Sequence, residues 1–200
     1  PAPTDIERAR AISRRGTAQT LPVPLEDTFK LHSLPGASKT IYLDFDGHTA
    51  TWMGEDFVYD AWNMEGSDDT FSETELRVIQ LAWKSVAEDY IPFEVNVTTE
   101  FPGIDALRNT GDGDDTWGVR VVINHSTYFY SWAYDSTFDA YDDIEIYVWS
   151  GDYPSVDVTW LWIADSAAHE VGHALGLSHD GTQSGVEYYP GHGSGTTFWA

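Results

Sequence analysis

Cysteine is absent from this 200-residue sequence, which excludes disulfide bonds, so redox chemistry neither supports nor opposes secretion. Basic residues are few: ten Lys and Arg stand against 33 Asp and Glu, which gives a formal net charge of −23. Because the phosphates of a nucleic acid would be repelled by such a chain, we expect no nucleic-acid partner. No run of eighteen apolar residues occurs, so no membrane span is predicted.

The composition is that of one folded domain. Hydrophobic residues make up 42% of the chain and aromatic residues 14%, including nine Trp and eleven Tyr. That is too apolar for a disordered chain, and the length suffices for one domain with its own core. Residues 1–36, punctuated by Pro22, Pro24 and Pro35, are predicted to be an N-terminal linker or the remnant of a propeptide. Residues 37–200 are predicted to form the folded domain.

Alternating and helical patterns predict an α+β domain. A helix is expected after Ser72, because Ser72 and Glu75 form a capping box ahead of apolar residues at helical spacing. A second helix is expected from about Asp157 to Leu175, where apolar residues form a stripe that can pack on a sheet. The order of strand, helix, several strands and helix is typical of the α+β class. The predicted strands cover residues 39–46, 93–98, 119–124, 144–148 and, as a less regular aromatic segment, 127–134.

The histidines at the end of the second predicted helix carry the chemical signal. The segment His169–His179 reads His-Glu-Val-Gly-His-Ala-Leu-Gly-Leu-Ser-His. His169 and His173 are four residues apart, so on a helix they lie one above the other and can bind one ion. Gly176 can adopt the left-handed conformation that ends a helix, which lets the chain turn back and bring His179 to the same ion. Three nitrogen ligands with an open fourth position are typical of a catalytic zinc site.

Glu170 is the predicted catalytic residue. It is rotated by about 100° from His169 around the helix axis, which aims it at a water molecule in the open position rather than at the metal. Zinc lowers the pKa of a bound water to about 7, and a neighbouring carboxylate can act as the general base for that water. The pattern therefore predicts a hydrolase with one catalytic zinc ion.

The same segment resembles the extended zinc signature of the metzincin clan of metallopeptidases, and it matches that signature at every fixed position. The resemblance implies a zinc endopeptidase with a twisted mixed sheet, a backing helix, an active-site helix and a small C-terminal subdomain. Asp180, directly after the third histidine, resembles the Asp that supports the site in the adamalysin-type branch. Tyr188 and Tyr189 are candidates to donate a hydrogen bond to the developing oxyanion, with aromatic packing as the alternative.

Two further segments, Leu43–His48 and Glu187–Gly193, resemble a group of secreted bacterial proteins with uncharacterised metzincin domains. This resemblance implies an extracellular protein that acts on protein or peptide substrates. The methionine-containing turn of the clan is missing, since the only methionines, Met53 and Met64, lie upstream of the histidines. We therefore expect a C-terminal subdomain that is truncated before this turn, or one completed by a C-terminal fragment after cleavage, which would then be a partner of the chain. A site that works without the turn is the third alternative.

Two alternatives to a peptidase stay open. One is a zinc-stabilised module that binds a peptide or a cell-surface ligand without turnover, and the other is a self-processing precursor. The carboxylate-rich loops Asp112–Asp115 and Asp139–Asp143 could bind calcium or could be solvated acidic loops. His48 is interpreted as a buried or turn histidine rather than as part of the metal site.

Overall fold

A computed structural model describes residues 20–64, 70–126, 130–152 and 155–179 of the chain. Within these ranges the protein is a mixed α/β structure with a parallel four-stranded sheet and two α-helices, which agrees with the predicted α+β class. None of the helices in these ranges combines the length and apolarity needed to cross a bilayer.

The central sheet consists of four parallel strands, and a separate hairpin adds two more. The six strands are β1 (Lys39–Asp44), β2 (His48–Trp52), β3 (Glu55–Tyr59), β4 (Val95–Thr98), β5 (Trp117–His125) and β6 (Ile146–Ser150). The sheet has the order β4-β1-β5-β6, whereas β2 and β3 form the antiparallel hairpin. Beside β6, Trp132 and Tyr147 form an antiparallel bridge. Part of the aromatic segment predicted to be extended therefore lies along the sheet, while its residues 127–129 fall outside the described ranges.

Two helices cover one face of the sheet. Helix α1 runs over Glu73–Asp89 and helix α2 over Val156–Ala174, and they pack on each other as well as on the sheet. The predicted capping box is present, because the hydroxyl of Ser72 accepts from the Glu75 N–H while the Glu75 carboxylate accepts from the Ser72 N–H. Alternate residues of each central strand, such as Ile41, are fully buried in one cluster with the helices. The core therefore lies between the sheet and the two helices.

The opposite face of the sheet carries a buried ion-pair network. The Arg120 guanidinium lies 2.6 Å from Asp44 Oδ2 and 2.9 Å from Asp143 Oδ2, and none of the three side chains is more than 10% exposed. Burial raises the pKa of Asp44 to about 7, although its hydrogen bond to Arg120 acts in the other direction. Next to this network His48 bonds to Glu145 over 2.9 Å. His48 is thus held by a carboxylate near the turn that precedes β2, in line with its interpretation as a turn histidine.

Residues 20–36 belong to the segment predicted to be a linker or propeptide remnant, and they contact the domain. They include a 3-10 helix, Leu25–Lys30, in which Thr28 is fully buried. The Gln80 side chain of α1 donates to the Thr28 hydroxyl over 2.9 Å, and Leu31 joins the hydrophobic core. This stretch therefore contacts the domain through Thr28 and Leu31, although its prolines are exposed.

Candidate metal centre

Helix α2 presents two of the three histidines. Its buried stripe includes Ile163, Ala167 and Val171, which are at most 1% exposed and pack into the core. His169 and His173 lie on another side of the helix, one turn apart, with their ring centroids separated by 4.7 Å. The four-residue spacing therefore places the two imidazoles next to each other, as predicted.

The end of α2 brings in the third histidine. Gly176 adopts a left-handed conformation with φ of 87°. Its N–H donates to the carbonyl of His173 over 2.8 Å, and the N–H of Leu177 donates to the carbonyl of Gly172 over 2.9 Å. This pair of hydrogen bonds is a Schellman motif, which ends a helix and reverses the chain. The predicted stop at Gly176 is confirmed, and the reversal returns His179 to the rings of α2.

The three histidine Nε2 atoms form a nearly equilateral triangle. The Nε2–Nε2 distances are 3.0 Å for His169 and His179, 3.1 Å for His169 and His173, and 2.9 Å for His173 and His179. Atoms so spaced lie about 1.7 Å from a common central point, so a single ion about 2.0–2.1 Å from each nitrogen, the usual zinc–imidazole distance, fits the set. The cluster can therefore hold a metal ion.

Neighbouring groups keep nitrogen lone pairs available at neutral pH. The Nδ1 of His173 lies 2.8 Å from the carbonyl oxygen of Leu177. Because a carbonyl oxygen only accepts hydrogen bonds, Nδ1 carries the ring proton, and Nε2 is the nitrogen that can bind a metal. Burial, together with the charges of His173 and His179, lowers the pKa of His169 to about 4. The His169 ring is therefore neutral at pH 7, which is the form that binds metals.

Glu170 has the environment of a proton-transfer group. Its side chain lines the same cleft as the histidines, yet the residue is only 7% exposed. Burial raises the pKa of Glu170 to about 7, and the charge of His173 opposes this effect. A carboxyl group with a pKa near neutrality can both accept and release a proton at pH 7.

The three histidines open into a cleft of about 440 Å³. This volume falls within the range of roughly 300–1,000 Å³ that is common for ligand pockets. The cleft is lined by Ser131, Trp132, Ala133, Asp135, His169, Glu170, His173, Ser178 and His179. Two carboxylates and no Lys or Arg occur among these described lining residues, so the cleft is acidic apart from its imidazoles.

One wall of the cleft is a segment that is tied to both β6 and α2. Trp132 exchanges two backbone hydrogen bonds with Tyr147 of β6, at 2.9 and 3.0 Å. Further along, the N–H groups of Ser136 and Phe138 donate to the last carbonyls of α2, each over 3.0 Å. Asp135 lies between these anchors, and its carboxylate is 3.6 Å from His173 Nδ1. Its position beside the histidines comes from contacts across about 40 residues of sequence, so no local pattern indicates it.

Several predicted site residues lie outside the described part of the chain. Asp180, Tyr188 and Tyr189 belong to residues 180–200, for which no structure is described. Their roles as a supporting carboxylate and as oxyanion donors stay predictions. The same holds for the subdomain predicted to follow the third histidine.

The two acidic loops do not assemble a cation site within the described residues. In the first loop, the Asp114 carboxylate accepts hydrogen bonds from the N–H groups of Thr110 and Thr116, which lower its pKa. In the second loop, Asp143 pairs with Arg120. Apart from the three histidines, no group of three His, Asp or Glu side chains in the described ranges is close enough to hold an ion. The hydrogen bonds of Asp114 are consistent with a solvated acidic loop, and Asp143 is occupied by its ion pair with Arg120.

Three features of the described residues define the candidate metal centre. Three imidazoles converge from a helix and the turn after it, a buried carboxyl group lies next to them, and a cleft gives access to both. Comparison of the chain with protein-family models, with curated proteins and with solved structures gave no match.

Proposed function

We propose that this chain is the catalytic domain of a secreted zinc endopeptidase of the metzincin type, with His169, His173 and His179 as metal ligands and Glu170 as general base. The observation that carries the proposal is the convergence of three Nε2 atoms within 2.9–3.1 Å of one another beside a buried carboxyl group. The extended signature that these residues form in the sequence supports the same assignment.

Zinc is the metal that this donor set favours. Three imidazole nitrogens with an open side are a common ligand set of catalytic zinc, whereas calcium and magnesium prefer oxygen ligands. A zinc ion bound there would polarise a substrate carbonyl and lower the pKa of a coordinated water. The cleft on one side of the histidines leaves room for both molecules.

The residues of the chain supply the proton transfer and the binding surface. Glu170 takes a proton from the attacking water and passes it to the leaving amine, as its raised pKa allows. The segment at Trp132 bridges β6 and lines the cleft, so we expect an extended peptide substrate to lie beside it. An extracellular location is supported by the likeness of Leu43–His48 to secreted bacterial proteins.

Two substitutions test the proposal, with zinc content and cleavage of a fluorogenic peptide library measured on the same samples. Glu170→Gln should keep one zinc ion per chain and lose about 10²–10⁴-fold in hydrolysis, because general-base catalysis contributes about that much. His173→Ala should lose both zinc and hydrolysis. His48→Ala is the matched control: this histidine bonds to Glu145 outside the cleft, so zinc and hydrolysis should both persist.

Each alternative function has its own outcome in this experiment. Full hydrolysis by Glu170→Gln would refute the mechanism. A zinc-loaded wild-type protein that cleaves no peptide would favour a binding module. Intact mass distinguishes the self-processing precursor, because wild-type protein would then be cut while Glu170→Gln remains whole.

A further inference from the structure

Among the described residues that line the cleft, Trp132 is the one aromatic side chain besides the histidines, and ring contacts hold it in place. The Trp132 indole is stacked on Tyr147, with centroids 4.8 Å apart and an interplanar angle of 27°. Tyr134 contacts it edge-on at 5.2 Å. The backbone of Trp132 is held by its two hydrogen bonds to Tyr147, yet the residue remains 41% exposed. Because Tyr147 covers one face of the indole, a ligand in the cleft can reach the ring only from the side away from Tyr147.

A carboxylate lines the same cleft as this ring. Asp135 follows Trp132 by three residues, and its side chain is 75% exposed at the rim of the cleft. The next residue, Ser136, has a left-handed backbone with φ of 59°, and its N–H is bonded to the His173 carbonyl. The Thr137 hydroxyl donates to the Tyr134 carbonyl over 3.0 Å. This tight turn sets the position of Asp135 relative to the histidines.

The rim of the cleft at Asp135 favours positive charge, whereas the charge of Glu170 would be balanced by the zinc ion of the proposed function. The described lining residues include Asp135 and Glu170 but no Lys or Arg. Of the described basic residues, Arg120 is engaged in the buried network with Asp44 and Asp143. A net charge of −23 over the chain adds a long-range field that attracts cations.

We propose that the cleft recognises a lysine or arginine side chain of its substrate, which lies across the exposed face of Trp132 and directs its cationic group to Asp135. The inference rests on the proposed peptidase function and names its substrate class. An indole face attracts a cation through its π electrons, and the carboxylate adds charge complementarity. A neutral apolar side chain would gain the contact with the ring but nothing from Asp135, so the site distinguishes charge as well as shape.

The test uses pairs of peptides that differ in one charge. A library carries a single lysine at each position around the cleaved bond, and its partner library carries ε-acetyl-lysine, which keeps the length but not the charge. Binding is measured on Glu170→Gln protein incubated with zinc, and kcat/KM on the wild type. At the position that meets Trp132, lysine should be preferred about tenfold in both measurements, and the preference should shrink as salt is raised.

Substitutions of Asp135 and Trp132 then test whether these two residues cause the preference for lysine. Asp135→Asn and Trp132→Leu should each reduce the lysine preference about threefold, while Trp132→Phe should keep most of it because an aromatic face remains. Two controls match these changes outside the cleft. Asp112→Asn removes an exposed carboxylate, and Trp52→Leu removes a tryptophan that is 62% exposed on the hairpin. Both controls should leave the preference unchanged.

The outcomes separate this inference from the proposed function. Equal binding and cleavage of lysine and acetyl-lysine peptides would overturn the cation site and leave the peptidase intact. Preferential binding of lysine peptides without any cleavage would support the cation site and contradict the peptidase. A protein that binds neither library, or a preference that survives both Asp135→Asn and Trp132→Leu, overturns the inference.

Discussion

Two clusters of ionisable side chains in this protein differ in how their charges are balanced. In the network of Asp44, Arg120 and Asp143, opposite charges meet directly and every side chain is at most 10% exposed. In the histidine cluster, three rings of the same kind face one another beside an open cleft. Both carboxylates of the first cluster have Arg120 as their partner, so we assign this cluster to the fold. The second cluster brings together three nitrogen ligands and could hold a metal ion.

The largest effect is expected from removing Arg120, the centre of the buried ion-pair network. Arg120→Ala leaves two buried carboxylates without their shared cation, so the free energy of unfolding should fall by about 3–5 kcal/mol in urea titrations. Arg108→Ala is the matched control, because its ion pair with Asp105 is exposed and should be worth less than about 1 kcal/mol. Equal effects of the two substitutions would show that the buried network is not structural.

The second prediction concerns the pH dependence of the same network. Burial raises the pKa of Asp44 from 3.8 to about 7. The folded state therefore binds more protons than the unfolded state between pH 4 and 7, so this group's contribution to stability falls as the pH rises through that window. Asn cannot titrate, so the stability of Asp44→Asn relative to wild type should rise from pH 4 to pH 7. A constant difference across this window, measured by urea unfolding, would contradict the assignment.

The third prediction concerns the backbone that completes the histidine cluster. Gly176→Ala places a side chain at φ of 87° and a Cβ 3.1 Å from Ser136 Oγ, so it should cost about 1–2 kcal/mol of stability. It should also weaken zinc binding, because the turn at Gly176 positions His179. Gly113→Ala has similar strain at φ of 91° with nothing within 4 Å, so it should cost stability without changing zinc affinity. Unchanged zinc affinity in Gly176→Ala, measured by competition with a chelator, would show that the turn does not position the ligand.

Local patterns predicted the parts of the fold that depend on neighbouring residues. The capping box at Ser72 and Glu75 correctly predicted where α1 begins, because both partners lie within one turn. The apolar stripe of α2 and the left-handed Gly176 predicted the placement of the histidines for the same reason. The four parallel strands were each found within a few residues of their bounds, since the apolar residues that join the hydrophobic core alternate along each strand.

Features that depend on distant contacts or on unusual local chemistry were not predicted. The hairpin of β2 and β3 was missed because its turn is Met53-Gly54, with Met53 at φ of 53°, where Asn is the usual signal. The pairing of Arg120 with Asp44 joins residues 76 positions apart, and nothing local indicates it. Asp135 reaches the histidines only because its loop bonds to the end of α2.

The proposed function depends on one zinc ion that His169, His173 and His179 share. The most direct measurement is an anomalous-difference map at the zinc absorption edge, from crystals of the protein grown with zinc. We expect a single strong peak within bonding distance of all three Nε2 atoms, next to the Glu170 carboxylate. A map without a peak at this position, or with the three rings turned away from one another, would contradict it.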